Sequence, residues 1–98
     1  MHIRKNERLL SSLAQAVAEF ISRESNRTSL ITVTRVELAN HDSLARVFVS
    51  VLPVEQAHAA IDFLTRQERE ARDFLKKRIE MRVLPKLVFQ LDPEMGTH

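Results

Sequence analysis

Ile31-Thr32-Val33-Thr34-Arg35-Val36-Glu37-Leu38 and Ala45-Arg46-Val47-Phe48-Val49-Ser50-Val51-Leu52 are two β-branched runs flanking the turn-forming stretch Ala39-Asn40-His41-Asp42-Ser43. That pattern predicts a β-hairpin. In a register that sets Leu38 opposite Ala45, Thr32, Thr34, Val36, Leu38, Ala45, Val47, Val49 and Val51 share one face, and Glu37 meets Arg46 on the other. A slip of one residue would instead oppose Val36 and Arg46, so the first register is preferred. It also puts Phe48 with Arg35 on the non-core face, which makes Phe48 the one aromatic candidate for a contact, although a buried or half-covered ring is the expectation.

Before the hairpin, Leu9, Leu10, Leu13, Ala16, Val17, Phe20 and Ile21 recur at three and four, and Glu7, Ser11, Ser12, Gln15, Glu19 and Ser22 fill the other side. This is the pattern of an amphipathic helix, ending near the polar cluster Ser25-Asn26-Arg27. After the hairpin, Pro53 suits a first helical turn, and Val54, Ala57, His58, Ile61 and Leu64 form one stripe. A second stripe, Ala71, Phe74, Leu75, Arg78 and Ile79, runs on to Glu80.

Between the stripes no Pro or Gly breaks the pattern, and only Glu68 interrupts the apolar phase. A single helix over 54–80 would be roughly 40 Å long at about 1.5 Å per residue, against a radius of gyration of roughly 13 Å for a domain of this size. Two helices meeting around Arg66–Arg69 are therefore expected. Leu84-Pro85 ends the helical pattern, and Leu87, Phe89 and Leu91 alternate with Val88 and Gln90 as a last strand. The order read from the residues is α-β-β-α-α-β, an α+β class.

The chain has 98 residues, 44% of them apolar and 29% charged. These proportions suit one globular domain and suggest neither disorder nor a fibrous class. We read residues 1–92 as that domain and 93–98 as a flexible C-terminal tail. There is no cysteine, which excludes disulfides, thiolate catalysis and Cys-ligated zinc and fits a cytoplasmic chain. The N-terminus carries no apolar targeting stretch after its charges, and no segment approaches the length of a membrane span.

The four histidines, at positions 2, 41, 58 and 98, have no partner at metal-ligand spacing, so neither metal nor cofactor is expected. His58, on the apolar stripe, reads as a partly buried structural residue, and His41-Asp42 as turn chemistry. No serine elbow or glycine-rich phosphate loop is present, so an enzyme is not expected. Charge is more informative. Residues 66–86 hold eight bases, namely Arg66, Arg69, Arg72, Lys76, Lys77, Arg78, Arg82 and Lys86, against four acids, a local net charge of +4 where the whole chain has +2.

Arg69, Arg72 and Lys76 fall along one helical ridge with Arg66 just before it, a strip able to follow a nucleic-acid backbone. Arg4, Lys5 and Arg8 form a second cluster. The same charges also fit a solvated face, with Glu68–Arg72, Arg69–Asp73 and Asp73–Lys77 as i,i+4 pairs. With no Trp or Tyr and five Phe, stacking platforms are scarce, so binding is expected to rest on phosphate and RNA shape. The rival class is a protein-interaction or oligomerisation module using the apolar ridge of 54–80 and a free sheet edge.

The hairpin segments 31–38 and 44–50 with Asp42, the segment Arg82-Val83-Leu84-Pro85-Lys86-Leu87-Val88-Phe89 with Asp92, Arg4 and Arg8 opening the first helix, and Arg72 in the third together resemble the ribosome-binding factor A family nearly end to end. The resemblance implies a type II KH-like fold, a three-stranded sheet with its helices packed on one face. It implies a bacterial cytoplasmic, non-catalytic protein that binds the small (30S) ribosomal subunit, contacts 16S rRNA in late maturation and leaves before translation starts. On that reading Arg4, Lys5, Arg8, Arg66, Arg69, Arg72, Lys76, Lys77 and Arg82 contact RNA, and the protein acts as a monomer. One departure stands out: the family's small-x-Gly turn between the second and third helices is replaced here by Gln67-Glu68-Arg69. Loss of that glycine implies a different turn, a longer helix or weaker binding.

Overall fold

The computed structural model describes residues 5–24 and 28–94, the side chains of residues 5 and 6 excepted. The expected helix end at Ser25-Asn26-Arg27, Arg4, and the last part of the tail, 95–98, lie outside the described residues. Helix α1 spans Lys5–Glu24, strands β1 and β2 span Leu30–Ala39 and Leu44–Leu52, helices α2 and α3 span Ala57–Arg66 and Glu68–Lys76, and strand β3 spans Lys86–Leu91. The sheet order is β1-β2-β3. β1 and β2 are antiparallel; β2 and β3 are parallel, a pairing that needs a long crossover, which α2 and α3 supply.

The helices cover one face of the sheet. Leu13, Val17 and Ile21 from α1, Ala60 and Leu64 from α2, and Ala71 and Leu75 from α3 pack with Val47, Val49, Val51, Leu87 and Phe89 into one apolar core. Ala57, Ala60, Leu64, Ala71 and Leu75 are all buried in their own domain, so most of the apolar ridge of 54–80 is taken up by the core, while Val54 stays exposed.

The hairpin has the expected register at its turn end, with Leu38 opposite Ala45 and Glu37 opposite Arg46, but it shifts between Val33 and Arg35. Beyond this bulge the faces exchange. Ile31 and Val33 stand against Val51 and Val49 and pack on the core, whereas Thr32 and Thr34, expected inside, are exposed. The reason is the apolar spacing itself: Ile31, Val33, Val36 and Leu38 cannot all lie on one face at a period of two, and one extra residue restores the phase.

The turn holds three consecutive residues in the left-handed region, Asn40 at φ 53°, His41 at φ 55° and Asp42 at φ 66°. Ser43 closes it, its N–H and hydroxyl both donating to the Asn40 carbonyl at 3.1 and 2.7 Å. Asn and Asp tolerate this conformation, whereas a histidine Cβ there costs about 1–2 kcal/mol. We expect His41→Gly to raise the thermal midpoint by about 2–4 °C, since part of the relief is offset by the added freedom of glycine in the unfolded chain. His41→Val should lower it, and thermal melts followed by circular dichroism would show both.

The helix after the hairpin begins later than expected. Val54–Gln56 form a 3₁₀ turn after Pro53, and its tighter winding rotates Val54 outward. The buried line of α2 is Ala57, Ala60 and Leu64; His58, about 100° around the helix from Ala57, is exposed and not the partly buried residue expected. Helix α3 stops at Lys76, short of Glu80. The N–H groups of Arg78 and Ile79 both donate to the Leu75 carbonyl, at 2.9 and 2.8 Å, closing the last turn.

Candidate nucleic-acid interface

The junction of α2 and α3 is a kink at one residue. Gln67 has φ −90° and ψ 5°, its N–H is shared between the Phe63 and Leu64 carbonyls at 3.1 Å each, and its own carbonyl accepts the Ala71 N–H at 2.8 Å. The hydrogen-bond ladder thus passes through the bend. Since φ is negative, no glycine is required, and the replacement of the expected small-x-Gly turn yields a bent helix pair rather than a sharp turn or one straight rod.

Glu68, the residue that breaks the apolar phase, explains how the bend is held. Its side chain is 13% exposed, with Oε2 2.7 Å from Arg72 Nε, and the same oxygen accepts the Leu87 N–H at 2.9 Å. Leu87 is in edge strand β3, so this carboxylate fastens the start of α3 to the sheet. The Arg72 Nε–H is not aligned on the carboxylate as a hydrogen bond despite the short distance; the contact is an ion pair, and Arg72 is largely committed to it.

The expected binding residues divide into two groups. Lys76 pairs with Asp73 at 3.7 Å, in place of the Arg69–Asp73 and Asp73–Lys77 pairs, so Arg72 and Lys76 are partly spent. Arg66, Arg69, Lys77 and Arg82 are exposed, and none has a carboxylate within ion-pair distance among the described residues. Arg66 and Arg69 flank the kink. Arg69 and Lys77 line a groove of about 480 Å³ between α3 and the end of α1, together with Arg23, Phe74 and the carboxylates Glu24, Glu70 and Asp73, so the cations stand out at its rim and not as an unbroken positive lining. Arg8 is exposed on α1, 15 residues before Arg23 and therefore about 22 Å along the helix. The N-terminal cluster is thus separate from the groove; Arg4 and the Lys5 side chain lie outside the described residues.

Arg78 is structural. It grips Glu19 of α1 with two hydrogen bonds, Nε to Oε1 at 3.2 Å and Nη2 to Oε2 at 3.0 Å, and lies over the Phe74 ring at 3.9 Å from its centre. Arg23, missed in the sequence, lies over the same ring at 5.3 Å. Only the packing of α1 on α3 reveals it, because the partners are some fifty residues apart in sequence.

The hydrogen bond from Arg78 holds the Glu19 carboxyl below its ordinary value; desolvation opposes it, and the charges of Arg78 and Arg23 add to the lowering. Asp92 is likewise lowered, first by the Thr34 hydroxyl and then by the Glu94 N–H. A carboxylate with a lowered folded pKa stabilises fully above its unfolded value and loses that contribution as pH falls through the folded one. We therefore expect acid titration of unfolding to show a loss of stability below the ordinary carboxylate range, smaller in Arg78→Met and in Asp92→Asn. Unchanged acid profiles in both variants would contradict it.

Among the described residues no group of three His, Cys, Asp or Glu side chains converges on a metal position, and no helix is long and apolar enough to cross a membrane. Helices on one face of a three-stranded sheet, in the order α-β-β-α-α-β with β2 central, make this a type II KH-like domain. A profile described as ribosome-binding factor A matches residues 5–97, and the chain belongs to that family.

Relatives include ribosome-binding factor A of Desulfitobacterium hafniense, 35% identical over 99 residues, covering 96% of this chain and 79% of the relative. The Protochlamydia amoebophila protein of the same name is 32% identical over 102 residues, covering 100% and 78%. The crystal structure of ribosome-binding factor A from Thermus thermophilus superposes with a TM-score of 0.80 at 31% identity, covering 90% of this chain and 97% of that one. A Thermus thermophilus ribosome-binding factor A fitted into a cryo-EM map of a 30S complex gives 0.72 at 33% identity, covering 83% and 88%.

Proposed function

We propose that this protein is a non-catalytic, cytoplasmic maturation factor that acts as a monomer on the small ribosomal subunit, using the kinked α2–α3 face to bind 16S rRNA. The observation that carries the reading is the set of exposed, carboxylate-free cations Arg66, Arg69, Lys77 and Arg82 along α2, α3 and the loop that follows, in a chain whose family is named for ribosome binding. A duplex or bulged RNA strand is a dense line of negative charge, and cations that give up no internal partner bind it at least cost. Arg72 and Lys76 contribute less, their charges being partly spent on Glu68 and Asp73.

Support also comes from the related Thermus protein placed in a 30S complex. Co-sedimentation of the purified protein with separated ribosomal subunits tests the proposal. Migration with immature small subunits, weaker with mature ones and absent from large subunits, is the expected result. Equal association with both subunits, or with neither, overturns it.

A further inference from the structure

The face of the sheet opposite the helices holds one aromatic side chain that the core does not use. Phe48 lies between the core residues Val47 and Val49 and so points the other way, and no helix among the described residues covers that face; still, Phe48 is only 6% exposed. Its cover is Arg35, directly opposite on β1, with the guanidinium carbon 4.1 Å from the ring centre. The pair belongs to the same register as Leu38 with Ala45 and Glu37 with Arg46, on the turn side of the bulge.

The guanidinium is restrained. Arg35 Nε donates to Glu37 Oε2 at 3.0 Å, and the Asp92 carboxylate is close enough to feel its charge. The Thr34 hydroxyl lies 3.2 Å from the Phe48 carbonyl and also within reach of Asp92; having one proton to give, it favours the charged acceptor. Compared with a free arginine, one already paired with a carboxylate is a poorer phosphate ligand. Its planar face is another matter: the side chain remains 45% exposed, and guanidinium planes stack on nucleobases.

We propose that Arg35, backed by Phe48, is a stacking platform for an unpaired base of an RNA strand crossing the open sheet face. The charges around it suit that occupant. Arg46, two residues before Phe48 and so about 7 Å along β2, and Lys86, on the neighbouring strand, have no ion-pair partner among the described residues and are placed for the strand's phosphates. A protein partner fits less well, because interface centres are depleted in Glu and Lys, and here Glu37 holds the central arginine with Lys86 at the margin. With α2–α3 on one side and this platform on the other, the domain, 21 Å across its shortest dimension, would sit between two RNA segments.

This inference rests on the RNA reading of the helix face, and the two are separable by salt and by base. The test is fluorescence anisotropy with labelled oligoadenylate and with an abasic oligomer of equal length, at several salt concentrations, for the wild type, Arg35→Lys and the double variant Arg69→Ala/Lys77→Ala. The wild type should prefer the base-bearing oligomer by about tenfold, the scale of one stacked base, and Arg35→Lys should erase that preference. The double variant should weaken both oligomers alike and keep it.

As a check that does not depend on the variant's fold, the Arg35 Nε–H resonance of the wild type should shift with oligoadenylate and not with the abasic oligomer. No base preference in the wild type, or a preference and resonance indifferent to Arg35, overturns the platform while leaving the helix-face reading intact. A double variant that binds like the wild type overturns the helix-face reading instead. Loss of small-subunit binding in Arg35→Lys with unchanged oligomer binding would mark a protein contact, and would also overturn the platform.

Discussion

Charge reversal at Arg69 and Lys77 together is expected to weaken binding to the small subunit by roughly a hundredfold, since placing like charges against phosphate costs several kcal/mol and about 1.4 kcal/mol is a factor of ten. Both residues are exposed and neither is in an ion pair among the described residues, so no internal pair is broken. The repulsion added beside Glu24, Glu70 and Asp73 of the same groove should cost a few tenths of a kcal/mol, about the size of a like-charge i,i+4 pair. The logarithmic salt dependence should flatten by about two units, one for each cation removed. By contrast Arg72→Ala should cost much less, because Glu68 already consumes that charge. Titration against small subunits over a range of salt would read all three quantities. If Arg72→Ala weakens binding as much as the double reversal, the Glu68–Arg72 pair opens on binding and the ranking is wrong.

Removing the Glu68 carboxylate is expected to have the largest effect on stability among polar substitutions. Glu68→Ala orphans the N–H of buried Leu87 and strips Arg72 of its partner. A buried donor left without an acceptor costs about 1–3 kcal/mol, which for a domain of this size lowers the thermal midpoint by about 4–8 °C per kcal/mol. Glu68→Gln keeps an acceptor for Leu87 and should recover about half of the loss. Denaturant unfolding gives the difference directly, with the midpoint moving and the slope constant. If Glu68→Ala unfolds like the wild type, water satisfies Leu87 and the carboxylate is not what fastens α3 to β3. Because the same carboxylate anchors the first turn of α3, the variant should also loosen the placement of Arg66 and Arg69 and reduce subunit binding modestly.

The sequence was most legible where a pattern was local. Leu13, Val17 and Ile21 recur at helical spacing and are buried at that spacing; Leu38 and Ala45 flank a short turn and pair as expected. Legibility failed where distant elements settle the outcome. Apolar positions at 31, 33, 36 and 38 do announce a change of phase, but treating β1 as strictly alternating put Thr32 and Thr34 inside. His58 belongs to an apolar stripe only if the helix starts at Val54, and the 3₁₀ turn there moved the phase. Glu68 looked like an interruption because its partner, the Leu87 N–H, is 19 residues away in sequence.

The candidate site shows the same division. Counting bases between residues 66 and 86 located the electropositive region, but not which of its cations are free. Arg78 is consumed by Glu19, fifty-nine residues earlier, and Arg72 by Glu68, whereas Arg69 and Lys77 remain open beside an arginine from the other end of the domain. Likewise, Phe48 and Arg35 were placed together by register alone, but that the guanidinium covers the ring and is held by Glu37 follows from the folded sheet.

By itself, then, the order of residues determined the elements, their succession and the hairpin register near its turn, because hydrophobic period, turn chemistry and strand pairing act over a few neighbouring residues. Tertiary structure alone decided the anchoring of the kink and the allotment of cations between internal partners and solvent. Those depend on which side chains meet across the core, and the free energy of an ion pair or a buried N–H exists only once both partners have been brought within a few ångströms.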